Sequence, residues 1–238
     1  MSICLLEKVM RNVAFLSLRS ADGHNAIDAE LIDSFEMVLD DLPSSCTVLV
    51  LSGSDSVFCS GADINSVADR ALTAGSSTES QIDPVRLYRL WKQLLYGRFI
   101  SIAHITGSVT AGGVGFATAC DFVVAEMHAT FKLSEMLFDI FPACVLPFLA
   151  TRIGFHRTNE MVLSCRQVNS AEALAMGLVD YTGPASDVQL RRLITRAACH
   201  SGQAIKRYKQ FMKCAPNIIN AMEGQAIDAN LAMFDDPA

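Results

Sequence analysis

An α/β fold built on a mostly parallel sheet is the architecture this sequence predicts, and three observations carry it. Strand-like and helix-like segments alternate through the first two-thirds of the chain, as βαβ units do. Two runs, TVLVLS (47–52) and ISIAHI (100–105), have the largely apolar composition of parallel strands covered on both faces. The 238 residues are half hydrophobic by type, enough for one sizeable core.

The N-terminal MSICLLEKVMRNVAFL carries charges inside its apolar stretch and reads as a strand pair, with Val13–Leu18 as the second strand. HNAIDAELIDSFEMVLDDL follows, with Asp28 as N-cap and Leu31, Ile32, Phe35, Val38 and Leu39 at helical spacing. After the buried strand at 47–52, FCSGADI (58–64) turns into a second helix, and AGSSTESQ (74–81) has loop composition. Pro84–Tyr96 is a helix, with Pro84 in its first turn and Gly97 at its end. The strand at 100–105 leads to the glycine turn TAGGVGF (110–116), a strand at Asp121–Ala125, and FKLSEMLFDIFPA running into further helix. From Arg152 onward the pattern is helical, broken by LVDYTGPASD, and the tail leaves apolar positions over that suit a neighbouring copy. The expected division is a core over residues 1–185 and a C-terminal helical region over residues 186–238.

A formal net charge of −6 and a pI near 5.3 argue against nucleic acid or an anionic membrane as the main partner. No apolar run reaches the length of a membrane span. The eight cysteines are scattered and form no Cys/His spacing that suggests zinc, so a metal-free protein of a reducing cytoplasm is expected.

Two turns repeat one design of buried strand, small residues and helix: FCSGADI and TAGGVGF. Small residues let backbone N–H groups at a helix start point into a cavity, and two such groups aimed at one point form an oxyanion hole. Glycines there also serve tight helix–sheet packing, and either turn alone leaves both readings open. With HNAI (24–27), HITGSVTAGGVGFATACDFVVAE (104–126), FKLSE (131–135) and SAEALAMGLVD (170–180), in this order and spacing, the chain resembles the crotonase (enoyl-CoA hydratase/isomerase) superfamily. YRLWKQL (88–94), SEMLFDIFPACVLPFL (134–149) and RYKQFMK (207–213) further resemble the polyketide β-branching dehydratases, which act on 3-hydroxy-3-methylglutaryl groups carried by an acyl carrier protein.

That resemblance implies a crotonase fold, with a ββα-type spiral core, a mostly parallel sheet and C-terminal helices used in trimerisation. It implies that the amides of Ala62 and Gly112 hold a thioester oxygen, and that Glu135 is the acid/base. The second glutamate of the hydratases is replaced by Gly115. A glycine inside a helix costs about 1 kcal/mol relative to alanine. The expected return is room for a substrate with a methyl branch and its own carboxylate. One carboxylate then serves a syn elimination, as α-proton base and then as acid to the leaving hydroxyl. Glu135 alternatively reads as a helix N-terminal carboxylate after Ser134.

Further candidates are less specific. Asp63 assists or caps the next helix, and Ile64 lines the site beside it. His24 and the 74–81 loop lie where relatives of the resembled family bind the nucleotide or pantetheine arm. Tyr88 and Lys92 share a helix face and could bind a distal carboxylate, or simply face solvent. Cys59 and Cys144 could line the pocket, with no histidine in sequence to activate either. His104 reads as a core histidine satisfied by backbone, and Glu126 as a surface residue. No cofactor is expected; the acyl group arrives on phosphopantetheine of a carrier protein or on CoA. The basic segments RRLITR (191–196) and KRYKQFMK (206–213) are candidates for meeting an acidic carrier, or are solvated faces. Relatives of the resembled family run a little beyond Asp235–Asp236, over a region that closes the active site. The competing activities are 3-methylglutaconyl decarboxylation and enoyl-CoA isomerisation, and the competing class is a catalytically silent carrier-binding scaffold.

Overall fold

The computed structural model describes residues 1–62, 82–215 and 217–235. The main sheet has six strands in the order β1 (Ser2–Met10), β2 (Val13–Ser20), β3 (Val48–Ser52), β5 (Ile100–Ile105), β7 (Phe122–Ala125) and β10 (Tyr181–Thr182). The predicted β1–β2 strand pair is antiparallel, and every other neighbour in this sheet is parallel. The inner strands alternate between two buried faces because side chains point up and down with period two. Val48, Val50, Ile102 and Val124 face one side, where helix α6 (Ser186–Ala197) covers them with Leu190, Leu193 and Ala197. Leu49, Leu51, Ala103, Ile105 and Val123 face the other side and belong to the main core.

Helices α1 (Ala29–Asp41) and α2 (Pro84–Tyr96) pack on that second side. The Asp28 carboxylate accepts from the Leu31 N–H at 2.8 Å and starts α1, which buries Leu31, Ile32, Phe35 and Leu39. Asp83 caps α2 in the same way, Pro84 fills its first turn, and Gly97 ends it as expected.

A second sheet of four short strands, β4 (Val57–Cys59), β6 (Ser108–Thr110), β8 (Thr130–Lys132) and β9 (Val168–Asn169), lies outside the sequence expectation. Helix α3 (Gly112–Ala119) follows β6, and a single 3-10 turn (Glu135–Phe138) follows β8 on the way to the further helix that was expected. Helix α4 (Leu146–Ser164) bends at Gly154, whose φ of +77° breaks the helical run. The C-terminal part continues through α5 (Ser170–Met176), α6, α7 (Gly202–Cys214), α8 (Ile218–Ala221) and α9 (Glu223–Asp235). Among the described residues no helix is long and apolar enough to cross a membrane.

Candidate active site

Three parallel neighbours of the small sheet place the expected chemistry. Register pairs Cys59 with Val109 and Thr110 with Lys132, so β4, β6 and β8 end at one edge. Within three residues they release Ala62, Gly112 and Glu135 respectively. With adjacent strands about 4.8 Å apart, the three groups leave the sheet within roughly 10 Å of one another.

The first two groups are held by contacts between their turns. A Cβ on Gly112 would lie 4.0 Å from the Ala62 nitrogen and 3.7 Å from Gly61 Cα. The Gly61 carbonyl accepts from Ile27 N–H at 2.8 Å, and Ile27 bridges Ala62 in parallel register, so HNAI anchors this turn. Ala111 adopts φ 49° and ψ −124°, a region alanine avoids at a cost of about 1–3 kcal/mol. Its own amide is tied to the Lys132 carbonyl at 3.0 Å, which holds the strain in place. Neither the Ala62 nor the Gly112 amide donates to a backbone carbonyl among the described residues. Two free donors beside each other at strand ends fit a single anionic oxygen. Gly113 has another purpose: a Cβ there would come within 2.4 Å of the Cys59 carbonyl, so it permits close packing of α3 on β4.

Glu135 begins the 3-10 turn and is buried. Burial pushes its carboxyl up from 4.5 to about 7, partly offset by the backbone N–H groups of Glu135 and Ser134. Its Oε2 has no hydrogen-bond partner among the described residues. A buried carboxyl poised near neutrality with an uncommitted oxygen can both take and return a proton.

The space beside Gly115 differs from the expectation. A Cβ on Gly115 would lie 2.4 Å from both Cη2 and Cζ2 of Trp91, so the indole of α2 fills the room that a second carboxylate would need. Gly115 makes room for Trp91 and not directly for substrate. Trp91 is buried, with its ring edge-on to Phe116 and Phe148. Sequence reasoning passed over this residue; the available signal was the chain's single tryptophan, one position before Lys92 and on the apolar stripe of the helix.

The remaining candidates fall in several places. His24 is exposed, and its carbonyl accepts from Ser60 N–H at 3.1 Å, which puts it next to the Ala62 turn. Asp63, Ile64 and the 74–81 loop lie outside the described residues. The Tyr88 hydroxyl is buried and donates to the Ile219 carbonyl at 2.7 Å, and Lys92 pairs with Glu223 at 2.7 Å. Neither faces solvent as one sequence alternative had it; both tie α2 to the C-terminal α8–α9 segment. The Cys144 thiol contacts the Ala226 carbonyl of α9 at 3.6 Å, and burial pushes it up to about 12, which excludes an activated thiolate. Burial pushes the Cys59 thiol up to about 12 as well.

His104 is not satisfied by backbone. Its Nε2 has no hydrogen-bond partner among the described residues and faces Asp187 at 3.8 Å, under α6. Desolvation lowers its pKa, partly offset by the Asp187 and Glu126 charges. Glu126 is not at the open surface: its carboxylate accepts from the Ser186 hydroxyl. His104, Glu126 and Asp187 place donor atoms within 4.8 Å of one another, but on the sheet face opposite the two turns. The RRLITR segment is in α6 on that same far face, and Lys209 of KRYKQFMK is buried against Asp121 at 2.6 Å. The other cations of the two segments, Arg191, Arg192, Arg196, Lys206, Arg207 and Lys213, are exposed.

Comparison with known proteins identifies the family. Residues 8–238 match the family model described as enoyl-CoA hydratase/isomerase. The bacillaene synthase dehydratase PksH of Bacillus subtilis is 37% identical over 227 residues, covering 95% of this chain and 86% of that protein. A human mitochondrial methylglutaconyl-CoA hydratase is 28% identical over 180 residues, covering 74% of this chain and 52% of that protein. The crystal structure of a polyketide biosynthesis enoyl-CoA hydratase (pksH) from Bacillus subtilis superposes with a TM-score of 0.92 at 34% identity, covering 99% of this chain and 92% of that one. The chain is therefore a hydro-lyase that belongs to the enoyl-CoA hydratase/isomerase family, with the crotonase fold.

Proposed function

We propose that this protein dehydrates a 3-hydroxy-3-methylglutaryl thioester carried on an acyl carrier protein, giving the 3-methylglutaconyl thioester in polyketide β-branching. One observation carries the reading: a buried carboxyl that burial pushes up to about 7, with one oxygen unpartnered among the described residues, at the same sheet edge as two turns whose amides donate to no described backbone carbonyl. Ionised Glu135 takes the α-proton, and the electron pair moves onto the thioester oxygen between the Ala62 and Gly112 amides. Such donors stabilise the enolate by several kcal/mol relative to water. Collapse of the enolate forms the α,β double bond and breaks the bond to the β-hydroxyl. Protonated Glu135 returns its proton to that oxygen, and water leaves on the face from which the proton came. The names of the similar proteins support the substrate class, since one is a polyketide dehydratase and another hydrates methylglutaconyl-CoA, the reverse of this reaction.

His24, at the rim beside the Ala62 turn, lies along the expected path of the pantetheine arm. Tyr88 and Lys92 act through the C-terminal segment they hold and not as free ligands for the distal carboxylate. Exposed Phe155, Leu163, Tyr208 and Phe211 supply apolar surface for the homotrimer in this reading. The test is intact-mass analysis after incubation with the 3-hydroxy-3-methylglutaryl carrier protein. Loss of one water supports the proposal. An unchanged mass, or loss of carbon dioxide from the methylglutaconyl carrier only, overturns it.

A further inference from the structure

We infer that Trp91 is a specificity-determining residue of this site, and that its indole Nε1–H donates a hydrogen bond to the β-oxygen of the bound acyl group. The inference rests on the dehydration reading above. Tryptophan can only donate through Nε1. Here that donor has no hydrogen-bond partner among the described residues, although the side chain is only 1% exposed. A buried donor left unmade is unfavourable by about 1–3 kcal/mol, so it marks a place where a ligand supplies the acceptor.

Position identifies the acceptor. Cε2, the ring atom bonded to Nε1, lies 2.8 Å from the Cβ position of Gly115. Gly115 is three residues beyond Gly112 on α3, about 4.5 Å along the axis and on nearly the same side. The Gly112 amide is committed to the thioester oxygen. The next oxygen along a β-hydroxyacyl chain, three carbons on, falls one helical turn away, at the indole. The Phe116 and Phe148 rings hold the indole in place, at centroid distances of 5.8 and 5.5 Å. The β-oxygen has lone pairs for both Nε1–H and protonated Glu135. As the carbon–oxygen bond breaks, charge grows on that oxygen and the indole bond strengthens. The ring thus takes the place of a second carboxylate as a neutral donor, which does not repel a substrate bearing its own carboxylate.

Trp91 is the only tryptophan, so a nitrogen-15 spectrum shows a single indole N–H resonance. The Glu135→Gln chain is titrated with 3-hydroxy-3-methylglutaryl pantetheine and, separately, with 3-methylglutaryl pantetheine, which lacks the β-oxygen. The hydroxylated thioester is expected to move the indole resonance downfield, and the deoxy one to leave it near its free position. In the otherwise unaltered enzyme, Trp91→Phe is expected to lower kcat/KM for the hydroxylated substrate about fivefold or more, the value of one neutral hydrogen bond. Inhibition by the deoxy thioester should change less than about twofold, because repacking alone affects both ligands alike. Binding of both thioesters with an unmoved indole resonance, or equal losses for both in Trp91→Phe, overturns the assignment alone. A chain that binds neither thioester overturns the dehydration reading and this assignment with it.

Discussion

Gly61 lies directly against Ala111: a Cβ on Gly61 would sit 2.5 Å from the Ala111 Cβ and 2.8 Å from the Gly112 nitrogen. Gly61 also has φ +80°, which an L side chain resists. Gly61→Ala must therefore push the two donor turns apart. The expected result is a fall in kcat of about a hundredfold or more, the scale of losing one oxyanion donor. Gly112→Ala clashes only with the flexible Cδ1 end of Ile27, at 2.7 Å, its other neighbours lying at ordinary contact distance from 3.7 Å outward, and should lose far less. Steady-state kinetics on both variants checks the order; equal losses contradict the geometry.

Glu135 links activity to stability. Because burial raises its folded-state pKa from 4.5 to about 7, the folded chain binds this proton more tightly than the unfolded chain does. Unfolding free energy therefore falls as pH rises between these two values, by up to roughly 3 kcal/mol. Glu135→Gln removes that loss. It should match the unaltered protein in urea unfolding near pH 4 and exceed it near pH 8, while turnover falls about 10²–10⁴-fold. In the unaltered enzyme kcat/KM should decline on the acid side of a pKa of about 7.

At Gly115, helix propensity and packing predict opposite signs. Propensity alone makes Gly115→Ala stabilising by about 1 kcal/mol. The rigid Trp91 ring against that position makes it destabilising by about 1–3 kcal/mol. Denaturant unfolding decides between them, and adding Trp91→Phe should recover part of the loss as a coupling between touching residues.

Lys209 is a structural cation. Its ammonium is buried between Asp121 and the Leu94 carbonyl, with Asp121 also accepting from the Ser101 amide. Lys209→Met leaves that carboxylate without its cation and should destabilise the protein by about 3–5 kcal/mol. Lys209→Met with Asp121→Asn should recover most of it. Thermal unfolding of the single and double variants provides the check.

The long elements were readable because each carries a repeating pattern. The α1 and α2 helices show apolar spacing behind side-chain N-caps, and β3 is an apolar run. Strands β4, β6 and β8 were not readable: three residues hold too little period to distinguish a strand from a loop. Yet these three strands bring Ala62, Gly112 and Glu135 to one edge.

The motifs around Ala62, Gly112 and Glu135 were legible through their order and spacing, which resemble those of the crotonase superfamily. Local sequence also determined that position 115 would be a glycine in a helix. What only tertiary structure decided is what that glycine faces. Trp91 lies twenty-four positions earlier in the sequence, and nothing in the intervening pattern says that α2 crosses α3 at this point. The same holds for Tyr88, Lys92 and Lys209, whose partners lie 131, 131 and 88 residues away. Periodicity determines which face of an element is buried; only the assembled fold determines which residue it is buried against.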